Sequence, residues 1–169
     1  MKSIENHELP ANVSIRNQLK AGDIGYLTYL HGILYANEYG WDYTFETYVA
    51  GPLAEFAKRH NNRERIWIVE KDGQITGSVA IVEASEQEAQ LRWMLLTPDL
   101  RGQGLGRTLV EQALDFCKKQ EYHSVFLWTV SLLTAATKLY QSVGFQLTDE
   151  KTHRIWGAKL TEQRYDLKL

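Results

Sequence analysis

A chain of 169 residues, 44% apolar and 24% charged, has material for one hydrophobic core and lies far from disordered or collagen-like compositions. Its formal charge of -2 gives no electrostatic reason to bind nucleic acid or an acidic membrane surface. No apolar run approaches the roughly 20 residues that cross a bilayer, and the polar opening Met1 to Pro10 has no signal-like core, so the cytoplasm is the expected location.

Repeats, low-complexity tracts and linkers are absent, which predicts a single domain over 1–169 with 1–12 as a flexible or loosely packed N-terminal segment. Val13 to Leu19 alternates apolar and polar residues like a strand. Gly22-Asp23 opens a helix: Asp23 suits an N-cap, Ile24, Leu27, Leu30 and Leu34 recur at helical spacing, and Gly40 supplies a stop. A second helix is expected from Phe45 through Val49, Leu53 and Phe56 to about Lys58, with a kink or late start at Pro52. Ile66 to Glu70 and Ile75 to Val82 flank Asp72-Gly73, a hairpin signal. Ala89 to Thr97 grows more apolar toward its end, which predicts a central strand closed by Pro98. A helix from about Gly104 to Gln120, a strand Ser124 to Thr129 and a helix from about Leu133 to Val143 follow. Phe145 to Lys151 and Thr161 to Leu167 alternate like closing strands. The order β-α-α-β-β-β-α-β-α-β-β reads as an α/β sandwich with a mixed sheet.

The single cysteine, Cys117, shares an amphipathic pattern with Leu105, Leu109, Ala113 and Phe116 and reads as a core residue rather than a nucleophile. His7, His31, His60, His123 and His153 are scattered without zinc-ligand spacing, so no metal is expected.

The informative stretch is Arg101-Gly-Gln-Gly-Leu-Gly106, set between a strand and a helix. Glycines let the main chain approach a ligand closely, and at a helix start their free N–H groups and the positive dipole end converge on one spot. That suits an anion such as a pyrophosphate, with Arg101 and Arg107 adding charge. A tight βα corner that needs glycine only for packing would read the same way. Two nucleotide patterns drop out: no lysine follows Gly106, as a Walker loop requires, and the glycines fall as G-x-G-x-G rather than G-x-G-x-x-G.

Arg101-x-x-Gly104-x-Gly106 after an apolar strand and a proline resembles the acetyl-CoA signature of the GNAT (Gcn5-related N-acetyltransferase) superfamily. Leu139-Tyr-Gln-Ser-Val-Gly-Phe145 resembles that superfamily's second signature, a helix ending in Gly-Phe. The resemblance covers about Val13 to Leu169 and implies a mixed, mostly antiparallel central sheet flanked by helices on both faces. Gly22-Asp-Ile-Gly25, His31-Gly-Ile-Leu-Tyr35 and Glu38-Tyr-Gly-Trp-Asp42 are similar to acetyltransferase domains often fused behind winged-helix regulators of the multiple-antibiotic-resistance type. Only about a dozen residues precede the first expected strand, which leaves no room for a winged helix there.

The resemblance implies acetyl-CoA as cosubstrate, its pantetheine arm against the backbone of Leu95, Leu96 and Thr97. The N–H groups from Gln103 through Gly104, Leu105, Gly106 and Arg107 to Thr108 would hold the pyrophosphate. It makes Tyr140 the donor of a proton to the departing thiolate; as a residue, Tyr140 could equally be packing its ring beneath the last strand. Many relatives carry a polar residue where this chain has Leu133, and Ser131 or Thr134 are the nearby substitutes. Family members often use a glutamate near the start of the central strand as base, but Gln90 cannot take a proton. That leaves His31, Glu38, His153 or a water chain. Tyr35, Tyr39, Trp41 and Tyr43 form an aromatic cluster that serves either an acceptor pocket or the core. The expected acceptor-side residues are therefore His31, Tyr35, Glu38 and His153. Two functions fit: an N-acetyltransferase acting by direct attack of a primary amine of a small molecule, amino acid or peptide, or a non-catalytic acyl-CoA sensor of the same fold. The expected partner is the amine acceptor, with a homodimer as the assembly and neither nucleic acid nor membrane.

Overall fold

A computed structural model describes residues 8–169, so His7 and most of the expected N-terminal segment lie outside the described residues. The chain runs β1 (Val13–Arg16), α1 (Asp23–Tyr39), α2 (Thr44–Arg59), β2 (Arg65–Lys71), β3 (Gln74–Glu83) and β4 (Glu88–Leu96). After a 3₁₀ turn at Pro98–Leu100 come α3 (Leu105–Lys119), β5 (Ser124–Val130), α4 (Thr134–Ser142), β6 (Gln146–Ile155) and β7 (Ala158–Lys168). The seven strands form one sheet in the order β1-β2-β3-β4-β5-β7-β6, antiparallel everywhere except between β4 and β5.

Local chemistry accounts for most of these boundaries. Asp72 and Gly73 adopt φ of 52° and 77°, the paired positive values of a two-residue hairpin, and Lys71 faces Gln74 across the turn. Gly40 ends α1 in the left-handed region at φ 71° and donates its N–H to the Ala36 carbonyl at 2.9 Å. The start of α1 differs from expectation, because Gly22 at φ 92° is the N-cap and Asp23 is the first helical residue. The Asp23 carboxylate instead takes two bonds from Arg16, at 2.7 and 2.9 Å, and one from the Lys20 N–H at 2.7 Å. Arg16 also binds Glu70 at 2.7 Å, so the chain folds over its own guanidinium and β1 stops there, short of Leu19.

Helix α2 continues through Pro52 rather than starting after it. An interior proline costs a helix about 3 kcal/mol. Phe45, Val49, Leu53 and Phe56 are all buried on one side of α2, and burial of such a side chain contributes about 1.5–3 kcal/mol each. Packing wins. The closing strands are longer than their alternation suggests and meet at Trp156 and Gly157, a second two-residue turn at φ 53° and 80°. The expected non-Gly signal for such a turn, Asn or Asp, is replaced here by a buried tryptophan.

Helices cover both faces. On one, α3 sets Leu109, Val110, Ala113, Phe116 and Cys117 against Val79, Ile81, Leu91 and Leu127. On the other, α1 and α2 set Leu27, Val49 and Leu53 against Ile66, Ile68 and Val82. Cys117 is fully buried, and burial pushes its thiol up to about 12, which makes it a packing residue.

Candidate active site

The site begins where the one parallel strand pair among the described residues comes apart. β4 and β5 are in register over Glu88–Ser124, Ala89–Val125 and Gln90–Phe126 and no further, although β4 runs on to Leu96 and β5 to Val130. The cause lies on the other edge of β4. Ala80 faces Arg92 and Ser78 faces Leu95, so Trp93 and Met94 together oppose Val79 in a β-bulge. Trp93 sits at φ 49°, and the Ser78 hydroxyl donates to its carbonyl at 2.6 Å. A bulge bends and twists its strand, and the divergence opens a cleft of about 480 Å³ between the strand ends.

At one end of the cleft lies the glycine turn. Gly102 and Gly104 occupy the left-handed region at φ 73° and 81°, and a Cβ on either would meet no protein atom within 4 Å. The first backbone bond of α3 is Thr108 N–H to the Gly104 carbonyl at 3.1 Å. The N–H groups of Gln103, Gly104, Leu105, Gly106 and Arg107 find no acceptor among the described residues. These five donors, in open space at a helix start, fit a pyrophosphate. Two of the expected donors are already used: the Thr108 amide opens the helix, and the Thr97 amide binds the Thr76 carbonyl at 2.8 Å. The Leu105 side chain is buried in the core, and Gln103 folds its amide back onto the Asp99 carbonyl at 2.8 Å, so both offer backbone only. Gly106 faces Leu139 and Met94, where an added Cβ would stand 3.4 Å from each.

The two arginines are engaged differently from expectation. Arg107 pairs with Glu111 at 2.8 Å and reaches the Ser142 hydroxyl at 3.2 Å. Arg101 makes a bidentate pair with Glu38 at 2.7 and 2.9 Å, while its Nε donates to the Leu96 carbonyl at 2.9 Å. It thereby ties the end of β4 to α1 and forms a wall of the cleft.

Tyr140 stands mid-cleft. Its ring packs edge-on against Phe145, centroids 6.0 Å apart, and belongs to the core beneath the last strands. Its hydroxyl makes no hydrogen bond with any described residue, and Tyr140 is part of the cleft lining. Burial raises the phenol above its ordinary range, and the neighbouring Tyr35 phenol adds to this. Tyr140 therefore packs in the core and lines the cleft at once. Of the polar substitutes beside Leu133, Thr134 lines the cleft with Leu133, whereas the Ser131 amide is spent on the Thr161 carbonyl at 2.9 Å.

The other half of the cleft is aromatic. Tyr35, Tyr39 and Trp41 line it, with Tyr35 and Trp41 stacked at 4.9 Å, while Tyr43 is 74% exposed and takes no part. Trp156, at the tip of the β6–β7 turn, closes this half against Trp41 at 4.6 Å and Phe45 at 4.8 Å. His31 is a poor base. Its Nδ1–H donates to the Leu27 carbonyl at 2.7 Å, its Nε2 is enclosed without a partner, and burial lowers its pKa to about 4. Glu38 is held by Arg101. His153 does not line the cleft itself but binds Glu162, which does, at 2.5 Å.

Arg92, Tyr48, Trp156 and Glu162 escape sequence reasoning. Alternation puts Arg92 on the opposite face from Trp93, and only the bulge places the two side by side. Trp156 and Glu162 sit more than 100 residues from α1, and no local pattern links them to it.

Residues 33–145 match the acetyltransferase (GNAT) family. Among curated proteins, the chain is 30% identical over 131 residues to N-acetyltransferase family 8 member 3 of Rattus norvegicus, covering 73% of this chain and 58% of that one. It is 36% identical over 89 residues to N-acetyltransferase 8 of the same species, covering 50% and 40%. The match therefore spans 58% of the length of the first of these relatives and 40% of the second. Among solved structures, the fold matches the acetyltransferase yncA of Salmonella typhimurium, determined with acetyl-CoA, at a TM-score of 0.73 and 20% identity over 93% of this chain and 94% of that one. It also matches spermidine N-acetyltransferase of Vibrio cholerae, determined with CoA and spermine, at 0.70 and 21% over 94% and 96%. With the family's sequence match running from α1 through the glycine turn to Phe145, and its fold carried by the whole described chain, this protein belongs to the acetyltransferase (GNAT) family.

Proposed function

We propose that the protein is an acetyl-CoA-dependent N-acetyltransferase that acetylates a primary amine by direct attack. The observation that carries this reading is the continuity of one cleft. Five unpaired backbone N–H groups lie at one end, an unbonded phenol in the middle and an aromatic chamber at the other. Acetyl-CoA would supply the activated acyl group. The glycine turn holds the pyrophosphate, and the edge of β4 freed beyond Gln90 offers backbone donors to the acyl oxygen. Tyr140 keeps its proton at neutral pH and delivers it to the departing sulfur. Glu162, oriented by His153, takes the proton of the amine.

Within the family, we place the chain beside the domains often fused to winged-helix regulators, on the strength of its α1 sequence from Gly22 to Asp42. We propose one domain over the whole chain and work in the cytoplasm, where acetyl-CoA is supplied; no described helix is long and apolar enough to cross a membrane. The acceptor is a small molecule, amino acid or peptide, as a bare amine group suffices for the chemistry.

The test is thiol release from acetyl-CoA over a panel of amines, amino acids and peptides, run beside calorimetry with CoA. Acceptor-dependent release supports the reading. CoA binding without release across the panel would instead make the protein an acyl-CoA sensor, and no binding at all would move the cofactor site away from the glycine turn.

A further inference from the structure

Three arginines line the cleft, and two of them have partners: Arg101 holds Glu38 and Arg107 holds Glu111. Arg92 has none. No described carboxylate oxygen comes within 4.0 Å of its guanidinium, whose polar neighbour is the Tyr48 phenol. The guanidinium lies over the Trp93 ring at 4.9 Å and within 5.6 Å of the Tyr48 ring centre, in the aromatic half of the cleft. Burial lowers its pKa from the ordinary value, Tyr48 opposing this and Arg59 adding to it. A cation in an apolar chamber is costly unless it is paired. The Trp93 ring and the Tyr48 side chain recover part of that cost and leave most N–H donors of the planar fork without a carboxylate, the group it matches best.

Alternation from Leu91 sets Arg92 on the α1–α2 face, and the bulge after it brings Trp93 and Leu95 to the same side. Ala89 and Leu91 point into the core under α3, so regular alternation would keep Arg92 apart from Trp93 and Leu95. The extra residue at Trp93–Met94 shifts the phase. Arg92, Trp93 and Leu95 then share the α1–α2 face, the face on which the acceptor reaches the opened edge of β4. The carboxylate of Glu162 lies in the same half of the cleft but is held by His153. The Tyr48 phenol registers both charges: burial raises it, Arg92 pulls it down and Glu162 pushes it up. One chamber therefore presents an unpaired cation and an oriented anion a short way apart, walled by Trp41, Phe45 and Trp156.

Resting on the acetyltransferase reading above, we infer that Arg92 receives a carboxylate of the acceptor, so that the substrate class is an amino acid with an apolar or aromatic side chain. The amine faces Glu162 and the acyl group, the carboxylate meets Arg92, and the side chain packs on the tryptophans. Arg92 contributes binding and orientation, while Tyr140 and Glu162 move the protons.

The experiment compares matched probes: L-phenylalanine with phenethylamine, and L-tryptophan with tryptamine. Each is measured by thiol release from acetyl-CoA and by calorimetry on the full chain. The wild-type protein is expected to favour each amino acid over its decarboxylated partner at least tenfold in kcat/KM and in affinity. Arg92→Met keeps the aliphatic stem over Trp93 and removes the charge. It should erase that preference by lowering the amino acid alone, with the amine and the KM for acetyl-CoA unchanged. Arg92→Lys, which keeps the charge without the fork, should fall between. A wild-type protein that prefers the decarboxylated amines overturns the inference whatever the variants do, as does an Arg92→Met variant that lowers both probes equally. Amino-acid binding in calorimetry without thiol release would leave Arg92's role standing and sink the enzyme reading. Thiol release to amines alone would do the reverse.

Discussion

Replacing Tyr140 by phenylalanine removes one oxygen and leaves the ring, its edge-on contact with Phe145 and its place in the core. The lost hydroxyl has no hydrogen-bond partner among the described residues, so no internal bond is broken. The expected change in stability is within about 0.5 kcal/mol, or ~1–2 °C in melting temperature for a chain of this length. Loss of a general acid costs about 10² to 10⁴-fold in rate, equivalent to about 2.7–5.4 kcal/mol of barrier. The loss should fall on kcat, with acetyl-CoA affinity unchanged, because the phenol acts on charge that develops only as the thiolate leaves. The pH profile adds a second readout. A phenol raised by burial favours its neutral form and keeps its proton until pH exceeds the raised value. The wild-type kcat profile should therefore show no falling limb from Tyr140 up to pH 10. Tyr140→Ala, by contrast, should cost about 3–5 kcal/mol of stability through the missing ring. Steady-state kinetics and melting curves separate the two variants. A normally folded Tyr140→Phe protein at full rate would refute the assignment and leave water as the donor.

Gly104→Val should weaken CoA binding at least tenfold, about 1.4 kcal/mol, because it places a branched side chain in the open space before the free N–H groups. At φ 81° it also strains the backbone by about 1–2 kcal/mol, so calorimetry must be paired with a melting curve; unchanged affinity in a folded variant moves the site elsewhere. Glu38→Gln breaks the bidentate pair that joins α1 to the end of β4 through Arg101. The pair is partly exposed, so stability should change by about 1 kcal/mol or less, while KM should rise several-fold for acetyl-CoA and acceptor alike; a change confined to the acceptor would mean that Glu38 meets it directly. His31 falls from 6.5 to about 4 on folding, so between those values the unfolded chain binds more protons and stability drops as pH falls. The difference in unfolding free energy between wild type and His31→Phe should shift by about 3 kcal/mol from pH 7 to pH 4, and a flat difference would show that His31 titrates normally.

Local signals settled much of this chain before any contact was known. Asp72-Gly73 between two apolar runs marks a two-residue hairpin, since Asp and Gly accept the positive φ values that such a turn needs. Gly40 had to end α1 and the Gly102–Gly106 run had to open a helix with bare donors, because both follow from backbone sterics within a few residues. The helix that carries Tyr140 and its end at Gly144-Phe145 were legible too, while the proton-donor role proposed for Tyr140 came from the resemblance to the family. The acceptor half was not. Its residues come from α1, α2, β4 and the β6–β7 turn, and no local periodicity records that Trp156 would pack on Trp41 or that His153 would orient Glu162. Arg92 is the clearest case. Side-chain alternation along β4 assigns it away from Trp93, and one extra residue opposite Val79 reverses that assignment. The bulge is held by the Ser78 hydroxyl on the neighbouring strand and by the two cores competing for Trp93 and Met94. Sequence determines what short-range sterics and hydrogen bonding can fix; the phase of β4 beyond Arg92, and with it the tryptophan beside the charge in the acceptor chamber, was decided by packing between segments far apart in the chain.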